Sequence, residues 1–146
     1  MLKQLLIVFI FASMTAFPCV RDFGMVKIIS ASDAAEIGQV PQISNERGIK
    51  VTVTRHNIPN ETKIWDFEIV LETHTQDLGD DLAKSSVLIA NDKQYMPLDW
   101  KGAPPGGHHR KGLLRFKAIL PQPQSMELQI RLAGDPSPRS FKWLPK

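Results

Sequence analysis

Apolar and polar residues alternate with a period of two along most of the chain after Gly48. Ile49, Val51 and Val53 are interleaved with Lys50, Thr52 and Thr54, and Trp65, Phe67, Ile69 and Leu71 with Asp66, Glu68 and Glu72; only Val70 breaks the second set. The same period returns from Leu114 to Leu120, from Met126 to Leu132, and at Phe141-Lys142-Trp143. Successive side chains of a strand point to opposite faces, so this pattern predicts strands with one buried face. Val87 to Ala90 and Gln94 to Leu98 flank Asn91-Asp92-Lys93, a hairpin turn by composition. No long segment carries the helical period. Seven or eight short strands separated by turn residues predict an all-β fold, a single sandwich of immunoglobulin or fibronectin-III type over residues 48–146. Trp65 and Trp143 are its expected core aromatics, as large rings usually are.

Upstream of Gly48 the pattern is different. Lys3 precedes an apolar run from Leu5 to Ala12, which gives way to Ser13-Met14-Thr15-Ala16. That order is the one found in a secretory signal, so residues 1–19 are assigned to a signal peptide cleaved after Ala16. The run falls short of the ~20 residues that span a bilayer, and no stable transmembrane segment is expected. The expected location is the periplasm or outside the cell. A lipid anchor on Cys19 is the alternative, and a start at Met25 would instead leave the protein in the cytoplasm. Residues 20–47 are expected to be a leader and a first edge strand, with a strand-like stretch at Val26 to Ile29 and Pro41 as an interruption.

Composition narrows the function classes. With 42% apolar and 23% charged residues the chain is an ordinary globular one. A net charge of +3 is too small for a dedicated nucleic-acid binder. One cysteine excludes an intrachain disulfide framework and a multi-thiolate zinc site. Acidic residues dominate between Glu61 and Asp99, and basic residues from Lys101 onward. Neighbouring strands are therefore expected to pair Glu68 or Glu72 with Arg115 or Lys117.

Two segments carry candidate chemistry. In Trp100-Lys101-Gly102-Ala103-Pro104-Pro105-Gly106-Gly107-His108-His109-Arg110 the prolines stiffen the approach and the glycines open dihedrals closed to other residues. Gly106, Gly107, His108, His109 and Arg110 thus read as a shaped binding loop, its imidazoles bracing it against Trp100. The second segment, Thr73 to Leu82, follows the strongest strand. Its three carboxylates, Asp77, Asp80 and Asp81, are oxygen ligands of the kind Ca²⁺ takes, but their spacing is not that of an EF-hand loop, and the segment reads instead as an Asx-type turn in which one Asp caps backbone N–H groups and Leu78 and Leu82 are anchors. A copper or zinc site would draw on His74, His108 and His109, with Asp77 as a further ligand. No activated nucleophile accompanies these residues, so no catalytic set is assigned.

The strings from Trp65 to Leu82 (WDFEIVLETHTQDLGDDL) and from Pro97 to Phe116 (PLDWKGAPPGGHHRKGLLRF) resemble a little-characterised family of secreted or membrane-anchored prokaryotic β-domains. No activity attaches to that family. The resemblance implies a small extracytoplasmic β-domain whose distinguishing motifs are Thr-His-Thr and Gly-Gly-His-His-Arg, and two loops that meet in space. The expected function is a non-enzymatic binding or accessory domain for an unidentified protein or envelope component. The periplasmic copper- or zinc-binding protein is the alternative.

Overall fold

The computed structural model describes residues 40–56 and 61–144. The signal peptide, the strand-like stretch at Val26 to Ile29, Cys19 and Met25 lie outside them. Among the described residues nine strands form two antiparallel sheets: β1 (Gln42–Glu46), β2 (Ile49–Arg55), β3 (Ile64–Thr73), β4 (Ser86–Ala90), β5 (Lys93–Tyr95), β6 (Asp99–Gly102), β7 (His109–Lys117), β8 (Met126–Ile130) and β9 (Arg139–Trp143). The described residues form one helix, α1 (Leu82–Ser85).

The first sheet has the order β1-β2-β3-β7-β6 and the second β5-β4-β8-β9. Setting β1 aside, β2 to β9 correspond one by one to strands A, B, C, C′, D, E, F and G of the immunoglobulin arrangement, in which A-B-E-D faces C′-C-F-G. The fold is an immunoglobulin-like β-sandwich, with β1 as an added edge strand.

The period-two pattern becomes the core. Inward positions of β2, β3, β7, β8 and β9 supply Val51, Val53, Trp65, Phe67, Ile69, Leu71, Leu114, Phe116, Leu128 and Phe141, each at most 2% exposed. Phe67 sits at the centre, edge-on to Phe116 with ring centroids 5.6 Å apart and tilted against Trp143 at 5.3 Å. That geometry suits the aromatic quadrupoles.

Three strand boundaries differ from the sequence expectation for local reasons. Asn91 and Asp92 both adopt positive φ, +47° and +60°, as a two-residue hairpin turn requires; β5 therefore begins at Lys93, and it ends at Tyr95 rather than reaching Leu98. β6 spans only four residues before Pro104, too few to show alternation, and the sequence had read it as part of a loop. β7 begins at His109, five residues before the apolar alternation starts, because its first inward positions are Arg110 and Gly112.

Charge pairing lies on the outer face of the first sheet, with partners that the register dictates. Glu68 meets Lys111 at 3.2 Å, and Glu72 meets Lys50 at 2.7 Å and His109 at 3.4 Å. Arg115 and Lys117, the expected partners, stand opposite Asp66 and Ile64, and Arg115 turns instead to Asp99 on β6.

Trp65→Ala is expected to lower the unfolding free energy by about 3 to 5 kcal/mol, since it removes the largest side chain of a close-packed core. Urea denaturation followed by tryptophan fluorescence measures this; a loss below about 1 kcal/mol would place Trp65 outside the cooperative core.

Candidate functional site

The antiparallel pairing of β3 with β7 sets Leu71 opposite Arg110 and Glu72 opposite His109. The chain leaving β3 and the chain entering β7 therefore emerge side by side at one end of the sandwich. The β3–β4 connection, the β6–β7 loop and the β8–β9 loop converge there, in the place of the B–C, D–E and F–G loops of an immunoglobulin domain.

The first two connections are joined by main-chain hydrogen bonds. Thr73 N–H donates to His108 O at 3.0 Å, Leu78 N–H to Gly107 O at 2.9 Å, and Gly106 N–H to Leu78 O at 2.8 Å. Gly106 and Gly107 have φ of +117° and +75°, which glycine adopts without strain, and this bends the loop back toward Leu78. Asp77 Oδ1 accepts from Gly107 N–H at 2.7 Å, and His108 Nδ1 lies 2.8 Å from Gln76 O. Because a carbonyl only accepts, Nδ1 is the donor of this bond.

Each carboxylate of the Asp77–Asp81 segment has a separate structural partner. Asp80 Oδ1 accepts from Ala133 N–H at 3.0 Å, which ties in the β8–β9 loop. Asp81 caps α1 through Ala83 N–H and pairs with Lys84; that bond to Lys84, foremost, holds its carboxyl below the ordinary aspartate range. Leu78 and Leu82 are buried beneath the segment. Asp81 alone caps its own segment, as one aspartate was expected to do, whereas Asp77 and Asp80 accept from N–H groups of the two neighbouring loops.

Arg110 occupies a different place from the one expected. It was read as part of an exposed binding loop, but the pleat of β7 turns it inward and it is 1% exposed. Its guanidinium donates to Leu78 O at 3.0 Å and Asp80 O at 2.7 Å, and lies 5.6 Å from the centre of the Trp100 ring. Burial lowers its pKa from the usual value, with Asp80, Asp81 and Asp77 acting in the opposite sense. An arginine remains charged through such a shift. The group facing Trp100 is therefore this guanidinium and neither His108 nor His109.

Trp100 has room for this because two glycines oppose each other beside it. Gly102 and Gly112 are register partners, and a Cβ on either would lie 2.8 Å or less from Trp100 and from the facing backbone. The ring fills the slot and donates Nε1–H to Ala103 O at 2.8 Å.

A second buried arginine closes the same end. Arg139 and Asp135 form an ion pair at 2.8 Å with side chains 0% and 1% exposed, and Arg139 also donates to Ile49 O and Glu46 O. It fastens β9 of one sheet to the β1–β2 turn of the other.

The three imidazoles occupy different elements. His108 lies in the loop against Gln76, His109 on the outer face of the first sheet beside Glu72, and His74 just past β3, exposed. Glu72 has a lowered pKa, chiefly through Lys50, with smaller contributions from His109 and His74. Among the described residues no three His, Cys, Asp or Glu side chains come together in a group able to hold a metal ion.

No protein-family model and no curated protein matches the chain. Among solved structures it is similar to the crystal structure of MPT63, a secreted protein from Mycobacterium tuberculosis. The two share 12% identity with a TM-score of 0.43, over 73% of this chain and 92% of that one. Among the described residues no helix is long and apolar enough to cross a membrane.

Sequence reasoning missed Arg139, Asp135 and the Gly102–Gly112 slot. Asp135 and Arg139 stand four apart in a proline-rich segment that reads as a turn; the opposed glycines were visible, but pairing them needs the β6–β7 register.

The Asp135 carboxyl is held below its ordinary pKa, first by hydrogen bonds from Arg139, so the pair stabilises the fold above about pH 4 and this contribution fades as pH falls further. Asp135→Asn leaves a buried guanidinium without its counter-charge and is expected to cost about 3 to 5 kcal/mol at pH 7. The difference from the parent protein narrows below pH 4. Denaturation curves at pH 7 and pH 3 check both statements; a deficit that widens in acid would contradict them.

Proposed function

We propose that the protein is an extracytoplasmic, non-enzymatic binding or accessory domain. It engages a protein or envelope component through the sandwich end built from residues 74–81, 103–108 and 131–138. The observation that carries this reading is the bracing of that end. Loops of this length would ordinarily be mobile, yet here main-chain bonds, Asp77, Asp80 and the buried Arg110 hold them to one another. A surface fixed before contact forfeits less conformational freedom on binding. His74, Thr75, Pro104, Pro105 and His108 are exposed on it.

The non-enzymatic part of the reading is supported by how the polar groups are engaged. Asp77, Asp80 and Asp81 are bound to backbone N–H groups, Glu72 to Lys50, and the Thr73 hydroxyl to Gly48 O. None of these pairs a nucleophile with a base. The extracytoplasmic part rests on the signal-like order of residues 1–19.

The decisive comparison is capture of partners from an extracytoplasmic fraction by the parent protein and by a His74→Ala, Thr75→Ala, Pro105→Ala triple variant. These exposed changes spare the internal brace. Partner recovery is expected to fall about tenfold or more, as when contact residues each cost about 1 kcal/mol or more. Equal recovery of the same partners would remove the loop end from the account.

A further inference from the structure

The outer face of the second sheet carries a depression unrelated to the braced contacts of the loop end. Its floor is made by Val87 on β4 and Gln129 on β8, which are register partners with outward-facing side chains. Met96, 60% exposed just beyond β5, borders one side, and Pro138, just before β9, borders the other. The cavity volume is about 230 Å³. Apart from Gln129, these four side chains are apolar.

One end of this trough is cationic. Lys84 and Arg131 both line it. The ammonium of Lys84 is shared with Asp81 at 3.0 Å. Arg131 is different: its backbone N–H bonds to Ser85 O at 2.8 Å, but its guanidinium has no hydrogen-bond or ion partner among the described residues.

We propose that this depression is a binding site for a small amphiphilic carboxylate, its anionic head on Arg131 and its apolar body along Val87 between Met96 and Pro138. The guanidinium fork matches a carboxylate in shape and charge, and takes two parallel hydrogen bonds from it. Lys84 adds a second positive charge. The volume lies below the ~300 Å³ at which drug-sized pockets begin, which selects a short aliphatic chain or a single ring. The site adjoins the proposed loop-end surface, since Arg131 and Pro138 bound the 131–138 loop, but its floor of Val87 and Gln129 lies outside that surface, and its occupant is tested without any partner protein.

The test is a titration of the isotopically labelled full chain with hexanoate, followed by amide chemical shifts, with hexylammonium as the probe of opposite charge. Saturable shifts confined to Val87, Met96, Gln129 and Arg131 are expected with hexanoate and absent with hexylammonium. Arg131→Gln should weaken the binding about tenfold or more, the usual effect of losing a hydrogen-bonded charge. Val87→Asp, which places a like charge in the trough, should do the same, and Lys101→Gln on the other sheet should leave it unchanged. The amide spectra show whether each variant is folded. Shifts that fail to saturate at millimolar hexanoate, equal response to hexylammonium, or undiminished affinity in both folded variants would each overturn the site.

Discussion

A positive charge inside the sandwich governs how its loop end is built. In β7 the inward positions run Arg110, Gly112, Leu114 and Phe116, so the residue that the pleat delivers to the interior at this end is a guanidinium. A charge removed from water must be compensated where it lies. The carbonyls of Leu78 and Asp80 and the face of Trp100 supply that compensation, and each must hold a fixed position to do so. The course of the β3–β4 connection follows from this requirement. So does the slot between Gly102 and Gly112 that admits the Trp100 ring.

Arg139 repeats the arrangement across the sandwich with an ionic partner. Its charge is met by Asp135 on its own loop, and its remaining donors reach Ile49 O and Glu46 O on the facing sheet. Buried polar interactions of this kind add little net stability when compared with well-packed apolar side chains, because desolvation offsets the attraction. Their contribution here is positional. The aromatic core around Phe67 would hold two sheets together without saying how four connections should lie, whereas directional donors on Arg110 and Arg139 assign each connection a place. The outcome is a division of labour: apolar burial makes the sandwich, and two arginines make its end.

The sandwich was legible in the sequence because its long strands each have one buried and one exposed face. The pattern that gives Trp65, Phe67, Ile69 and Leu71 their period is the same pattern that buries them. The turn at Asn91-Asp92 was legible because few residue types accept its dihedrals. The two loops were singled out by their composition, and His108 and Gln76 are indeed adjacent. What composition concealed was direction. Arg110 follows two exposed histidines and precedes a lysine, and by residue type it reads as surface; only the parity of β7 turns it inward. For the same reason His108 and His109, neighbours in the chain, part company, one in the loop and one on the outer face of the sheet. Arg139 was hidden because its donors reach Ile49 O and Glu46 O on the other sheet, a relation that no local pattern records, and Asp135, four residues before it, reads as a turn residue of a proline-rich segment.

The most direct measurement is amide hydrogen exchange in Arg110→Met, a change that keeps the bulk and removes the charge and its donors. Loss of the guanidinium should release the brace while the apolar core keeps the two sheets together. The amides of Gly106 and Leu78, which bond across the two loops, are expected to exchange about 10- to 100-fold faster than in the parent protein, corresponding to the loss of a hydrogen bond to a charged group. The amides of Val53 and Ile69 in the paired strands β2 and β3 should remain protected. Unchanged protection at Gly106 and Leu78 would contradict the claim that Arg110 holds the loop end. Equal loss at Val53 and Ile69 would show that it holds up the whole sandwich instead.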